Sequence, residues 1–332
     1  MEYQEKQEEL LHSLLNRSYE IDSNETDTHL APAQFQDNLL IDEEDRLCVM
    51  HRDAHFGSSF DEMLRYYREE KKGAVLDIPL KRIESLREKE KSLGADIAPL
   101  LLSGSDAEKI QLAKKLYQEL RTLFERGSEE KIVKEIVALI LSEEEEYEND
   151  IDAILCIGKP IIPYLIEVVQ SQTFKDPLFP GYGKAPLSAA YALGKLRAEE
   201  AIIALFELLC ENPDEYEEVA TGALTRIGKK AAEFLMRQVC KKPITSVNEQ
   251  AATVLLAFEA EDTAVAVAEL FFSMLQDKEI IKIVPFACYL ALGCEKLAPK
   301  LREDFKKLLS DPNTPGQVKE EIKLLSKEWD KK

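Results

Sequence analysis

The sequence predicts an all-α fold in which pairs of helices stack into an α-α superhelix, and three observations lead to this prediction. First, an apolar residue followed by glycine closes a run of apolar residues at Gly158, Gly194, Gly228 and Gly293. Second, with Glu259 standing in the same place without a glycine, the steps from 158 to 194, 228, 259 and 293 are 36, 34, 31 and 34 residues. Third, the apolar residues between these landmarks recur with helical spacing. A period in the thirties is typical of solenoids, whose units bury their apolar faces only by stacking on neighbours.

Each predicted unit is a helix that ends at the landmark, a tight turn and a second helix. The predicted pairs are 146–157 with 160–171, 186–196 with 198–210, 214–227 with 229–240, 246–258 with 261–275 and 281–292 with 296–309. We expect the landmark glycine to take the left-handed conformation that ends a helix. A helix near 315–329, rich in Lys and Glu, is predicted to cap the array with a polar outer face.

The first 100 residues predict a less regular helical region. Residues 3–16 have an amphipathic helical pattern, and residues 17–37 are polar and aperiodic, which predicts a loop. Two short apolar runs, 39–41 and 47–50, surround an acidic turn and predict a β-hairpin. Further helices are predicted from about 60, 79, 105 and 128. We therefore expect an N-terminal helical region over 1–100 and a solenoid over 101–332.

Residues 189–202, Ala-Ala-Tyr-Ala-Leu-Gly-Lys-Leu-Arg-Ala-Glu-Glu-Ala-Ile, resemble a HEAT-like repeat of the short bacterial type. The resemblance extends over about 145–310, with weaker copies around the other landmarks. It implies an armadillo-like helical solenoid but no particular function, because such arrays serve as scaffolds, enzymes and nucleic-acid binders. It also implies that the second helix of each pair lines the concave face. Polar positions there that would contact a partner are Glu167, Gln170, Glu207, Glu211, Arg237 and Glu269.

Composition narrows the class of partner. The net charge is −20 and the pI about 4.8, which argues against nucleic acid and anionic membranes and is compatible with basic protein partners. No apolar stretch is long enough to span a membrane, and the acidic N-terminal residues lack a signal-peptide pattern, so we expect a cytoplasmic protein. Six cysteines without a CxxC pair predict buried free thiols. We expect no cofactor.

An insertion at 172–186 interrupts the array with prolines and glycines. Phe174, Phe179 and Tyr182 are unfavourable in water, so they either pack onto the solenoid or contact a partner. Insertions between repeats often bind partners. We include these three aromatic residues in the predicted partner site.

His51 and His55 are spaced as HxxxH, which places two imidazoles on one side of a helix, as a metal site requires. Asp53 or a distant carboxylate would be the third ligand. His51-Arg52-Asp53 is also similar to the catalytic loop of protein kinases, but the required Asn and the upstream glycine-rich loop are missing. The acidic run 143–150 is either a solvated helix start or a docking site for a basic segment.

Two functions therefore remain. The favoured prediction is a non-enzymatic scaffold or adaptor that binds a protein partner through the concave face and the 172–186 loop. The alternative is a metal-dependent enzyme, or an accessory subunit of one, with a site around His51 and His55.

Overall fold

The structure, a computed structural model, describes residues 2–17, 42–70, 78–126, 130–142, 151–275 and 280–331. All regular elements in these ranges are helical and none is a strand, which confirms the predicted all-α class. The helices pack against their neighbours in the chain, as in a solenoid. None of the described helices is both long and apolar enough to cross a membrane. The chain divides into two compact units, Met1–Ala192 and Leu193–Lys332, and each is described by itself.

The first unit begins with helices of uneven length. They are α1 Glu2–Leu15, α2 Glu43–His55, α3 Phe60–Arg65, α4 Leu80–Leu93 and α5 Ala98–Leu101, and a single π-helical turn, Tyr66–Glu70, follows α3. The remaining helices are α6 Gly104–Arg126, α7 Lys131–Leu141, α8 Asp152–Ile157, α9 Ile162–Gln170 and α10 Ala185–Lys195, which runs into the second unit. The acidic run 143–150, residues 18–37 of the predicted loop and the apolar run 39–41 lie outside the described residues.

The predicted hairpin at 39–50 is wrong, because residues 43–55 form α2. Asp42 caps this helix by accepting a hydrogen bond from the backbone N–H of Glu44 at 3.0 Å. The buried side of α2 includes Cys48 and Val49 together with the polar His51 and Arg52. The sequence did not predict this helix because the helical period is read from apolar residues, and the buried His51 and Arg52 are polar.

The second unit repeats the predicted helical pairs. Its helices are α11 Ile202–Glu211, α12 Pro213–Ile227, α13 Lys229–Val239, α14 Ser246–Leu255, α15 Glu261–Met274, α16 Ile280–Leu292, α17 Pro299–Lys307 and α18 Gly316–Trp329. With α8 to α10 of the preceding segment, these agree with the predicted pairs and the last helix to within a few residues, except that residues 146–150 of the first predicted helix lie outside the described residues. The second helices are α9, α11, α13, α15 and α17.

The landmark glycine has two different roles. Gly228 separates α12 from α13 with φ +87° and ψ −133°, which is not the predicted left-handed helical conformation but a region open almost only to glycine. Gly194 instead lies inside α10, where a Cβ atom would be 2.6 Å from the Cα of Ala223. At this position the glycine lets two backbones approach closely.

Contacts within the first unit cross the predicted boundary at 100/101, since α2 packs on α6 and the Arg46 guanidinium pairs with the buried Asp106. The division into a helical region over 1–100 and a solenoid over 101–332 stays a prediction. The expectation that the thiols are buried is wrong for some of the cysteines. Cys48 and Cys294 are buried, but Cys156 and Cys240 are exposed.

Candidate functional site

The predicted polar positions on the second helices are largely accessible. The exposed ones are Gln170, Glu207, Glu211, Arg237 and Glu269. Glu167 differs, because it is only half-exposed and its carboxylate bonds to His12 Nδ1 of α1 at 2.7 Å and 2.8 Å. Of the six predicted positions, Glu167 is therefore already bonded to a residue of α1.

The aromatic residues of the insertion pack inward. Phe174, Phe179 and Tyr182 are 0%, 3% and 7% exposed. Of the two alternatives, packing against the rest of the chain or contact with a partner, their burial agrees with the first. Burial leaves none of these rings on the surface, and they form no part of the partner surface proposed below. Sequence alone could not decide between the two alternatives, because both require the same aromatic residues.

The tip of the insertion has an unusual backbone. Gly181, Tyr182 and Gly183 all have positive φ, of +86°, +52° and +82°. A Cβ on Gly181 would lie 2.5 Å from the carbonyl oxygen of Ile140 in α7. The glycine therefore allows the tip to contact α7, and the unfavourable conformation of Tyr182 is held by its packing.

Tyr182 completes an aromatic cluster around the two histidines of α2. The rings of His51 and His55, one helical turn apart, have centroids 4.7 Å apart. The Tyr182 ring lies 5.8 Å from His51 and 4.5 Å from His55, and Phe56 packs edge-on against His51 at 5.4 Å. The cluster joins the insertion to α2 inside the first unit.

Burial keeps both imidazoles neutral. His51 is fully buried, and neither its Nδ1 nor its Nε2 has a hydrogen-bond partner among the described residues. Burial lowers the pKa of His51 to about 3, with a further contribution from His55. It lowers the pKa of His55 to about 4, although hydrogen bonds to the backbone at Pro177 and Leu178 oppose the shift.

The third ligand that a metal site would need is not assembled here. Asp53 accepts a hydrogen bond from Arg52 Nε at 2.6 Å instead of joining the histidines. Within the residues that the structure describes, no group of three His, Cys, Asp or Glu side chains has a metal-binding arrangement. The geometry brings the predicted histidines together but supplies two ligands only.

Arg52 is the residue that sequence reasoning missed. Its side chain is fully buried, its guanidinium lies 4.5 Å from the centre of the Phe60 ring, and it pairs with Asp53, Glu90 and Asp96. The cation thereby joins α2 to the end of α4 and the turn before α5. A signal was present in the sequence, since Arg52 lies on the same helical side as Cys48 and Val49.

The second unit contains a cleft of about 560 Å³ between the turns of two successive pairs. Arg226 and Lys229 line one side, Glu259 and Asp262 line the other, and Phe258 contributes an apolar surface. The cleft thus offers both charges beside an aromatic ring.

Comparison with protein-family models, with curated proteins and with solved structures found no match for this chain.

Proposed function

We propose that this protein is a non-enzymatic HEAT-like scaffold that binds a protein partner. The binding surface consists of the exposed sides of α11, α13 and α15 in the second unit, and we call it the second-helix surface. It contains four of the positions predicted from the sequence, which are Glu207, Glu211, Arg237 and Glu269.

The observation that supports this proposal is the side-by-side packing of the second helices. Phe206 of α11 and Phe234 of α13 are in edge-to-face contact at 5.5 Å, and α13 packs against α15. Phe272 of α15 contacts Phe305 of α17 at 5.9 Å in the same way. These helices therefore form one layer, and their exposed side chains belong to a continuous surface that an extended partner can follow.

The chemistry of this surface suits a protein. On α11, Ile203 is 57% exposed and shares one side of the helix with Glu207 and Glu211, because residues four apart are neighbours on a helix. An exposed large apolar side chain flanked by charges resembles the centre and rim of a protein interface. On α13, Arg237 introduces the opposite charge. A matching partner would have an apolar side chain that contacts Ile203, basic groups opposite the glutamates and an acidic group opposite Arg237.

The experiment is capture of the tagged full chain from its native lysate, followed by mapping with cross-linking. The test variant is Glu207→Gln/Glu211→Gln/Glu269→Gln, and the matched control is Asp214→Asn/Glu217→Gln/Glu218→Gln, which makes the same charge change on the exposed side of α12. We expect the test variant to lose a stoichiometric partner that the control retains. Equal capture by both variants, or cross-links away from the second-helix surface, would contradict the proposal.

A further inference from the structure

The first unit contains a groove that is already occupied by a helix of the same chain. α1 packs against α7 and α9, and its Leu11, Leu14 and Leu15 are no more than 1% exposed. His12 stacks on Tyr164 of α9 with ring centroids 4.6 Å apart and bonds to Glu167. We call this surface of α7 and α9, with its rim residues Glu130, Tyr164 and Glu167, the α1 groove.

One contact in the groove is electrostatically unfavourable. Glu8 of α1 faces Glu130, the residue that precedes α7, and both carry the same charge when ionised. Burial is the largest cause that raises the pKa of Glu130, and the charge of Glu8 and its hydrogen bond to Glu130 add to the shift. Burial likewise raises the pKa of Tyr164 to about 12, with smaller contributions from the charge of Glu8 and from the hydrogen bond that the phenol donates to it. The negative charge of Glu8 therefore disfavours ionisation of both neighbours.

One oxygen of Glu130 lacks a donor. The carboxyl group of Glu130 shares a hydrogen bond with that of Glu8, but its Oε2 atom is buried and receives no hydrogen bond from any residue within the described ranges. A buried oxygen without a donor destabilises the folded state, and a cation placed there would satisfy it. Glu167, on the other side of the groove, already pairs with the imidazole of His12. The apolar floor therefore fits α1, whereas the charge at Glu130 fits a helix with a basic residue in place of Glu8.

We propose that the α1 groove is a second protein-binding site, for a basic amphipathic helix that displaces α1. The partner helix has apolar residues at the places of Leu11, Leu14 and Leu15, and Lys or Arg at the place of Glu8. The inference rests on the proposed function as a protein-binding scaffold and adds the chemistry of one partner.

The net charge of the first unit favours a basic partner. Residues 1–192 contain 39 acidic and 23 basic residues, whereas 193–332 contain 24 and 20.

The probes for a test are three fluorescent peptides with the sequence of residues 2–17, one unchanged, one with Glu8→Lys and one with Glu9→Lys. Glu9 is exposed on the outer side of α1, so the third peptide matches the charge change of the second without facing Glu130. Anisotropy would measure their binding to the full chain carrying Leu14→Asp, which removes the apolar contact that holds α1. We expect the Glu8→Lys peptide to bind about 10-fold more tightly than the other two, because a hydrogen bond to a charged group changes affinity by about this factor.

Two further measurements make the test specific. Adding Glu130→Gln to the receptor should abolish the preference for Lys at position 8, and the wild-type chain should bind all peptides more weakly because its own α1 competes at high effective concentration. Equal affinity of the Glu8→Lys and Glu9→Lys peptides, or a preference that survives Glu130→Gln, would overturn the proposal. Absence of binding by a folded Leu14→Asp chain would overturn it too.

If Leu14→Asp prevents folding, hydrogen exchange of the full chain gives the answer. Glu8→Lys should slow amide exchange in α1 several-fold relative to wild type, and Glu9→Lys should leave it unchanged. Equal exchange in the two variants would refute the role of Glu130. These readouts do not depend on the second-helix surface, because the Glu207→Gln/Glu211→Gln/Glu269→Gln chain should bind the peptides normally. Failure of lysate capture and failure of peptide binding can therefore be told apart.

Discussion

Acid should destabilise the first unit through the buried pair His51 and His55. The unfolded chain binds protons on both imidazoles below about pH 6.5, whereas the folded chain excludes them until the pH reaches about 4 for His55 and about 3 for His51. Because the unfolded state binds more protons in this window, stability is complete above pH 6.5 and is lost as the pH falls. At pH 5 the loss is about 2 kcal/mol for each histidine, or about 4 kcal/mol for the pair.

Urea unfolding at pH 8 and pH 5, followed by circular dichroism, measures this loss. Other carboxylates also titrate, so the informative quantity is the difference between wild type and His51→Leu/His55→Leu. The variant should be within about 2 kcal/mol of wild type at pH 8, since an apolar side chain can replace the unpartnered His51 at little cost and the second change removes the hydrogen bonding of His55 to the backbone at Pro177 and Leu178. It should be more stable than wild type at pH 5.

The chain provides an internal control for this experiment. Its single tryptophan, Trp329, is buried in the second unit, so its fluorescence follows the unfolding of that unit and can be compared with the circular dichroism of the whole chain. Parallel stability curves for wild type and variant between pH 8 and pH 5 would refute the reasoning, because they would mean that the imidazoles take up protons equally in both states.

Three further changes test other parts of the fold. Arg52→Met should lower the free energy of unfolding by about 3–5 kcal/mol, because it leaves three carboxylates without their cation. Urea titration measures this change, and a loss under about 1 kcal/mol would contradict a structural role for Arg52. Gly194→Ala should cost about 1–3 kcal/mol in thermal unfolding by placing a methyl group against the facing helix, whereas Gly316→Ala, where the space is open, serves as the control that should cost less. Thiol titration of the folded protein should show Cys156 and Cys240 reacting first, and rapid reaction of all six thiols would show that the cores are open.

The helical pairs could be predicted because their evidence is local. A period in the thirties, apolar spacing and the landmark glycines are present in any short window of the second half, and the observed helices agree with them. The α2 helix could not be predicted in this way. Its buried side includes an arginine and a histidine, and only the carboxylates of Glu90 and Asp96, about 40 residues away in sequence, explain how the cation is accommodated.

The candidate sites divide in the same way. Exposed positions such as Glu207 and Glu269 follow from helical period alone, because each lies opposite a buried stripe. The burial of Tyr182 and the contact of Glu8 with Glu130 depend on which distant segments meet. Glu8 and Glu130 are separated by more than a hundred residues, and no pattern within either segment indicates that they face each other.

The two ends of α7 contact different parts of the first unit. Glu130 borders the α1 groove before its first turn, and the carbonyl of Ile140 in its last turn, about 15 Å further along the axis, lies against Gly181. A single helix therefore connects the α1 groove to the loop whose Tyr182 packs on the two imidazoles. If a partner helix displaced α1 and moved α7, the packing of Tyr182 on those rings would change, and by thermodynamic reciprocity protonation of the rings would then change the affinity of the groove.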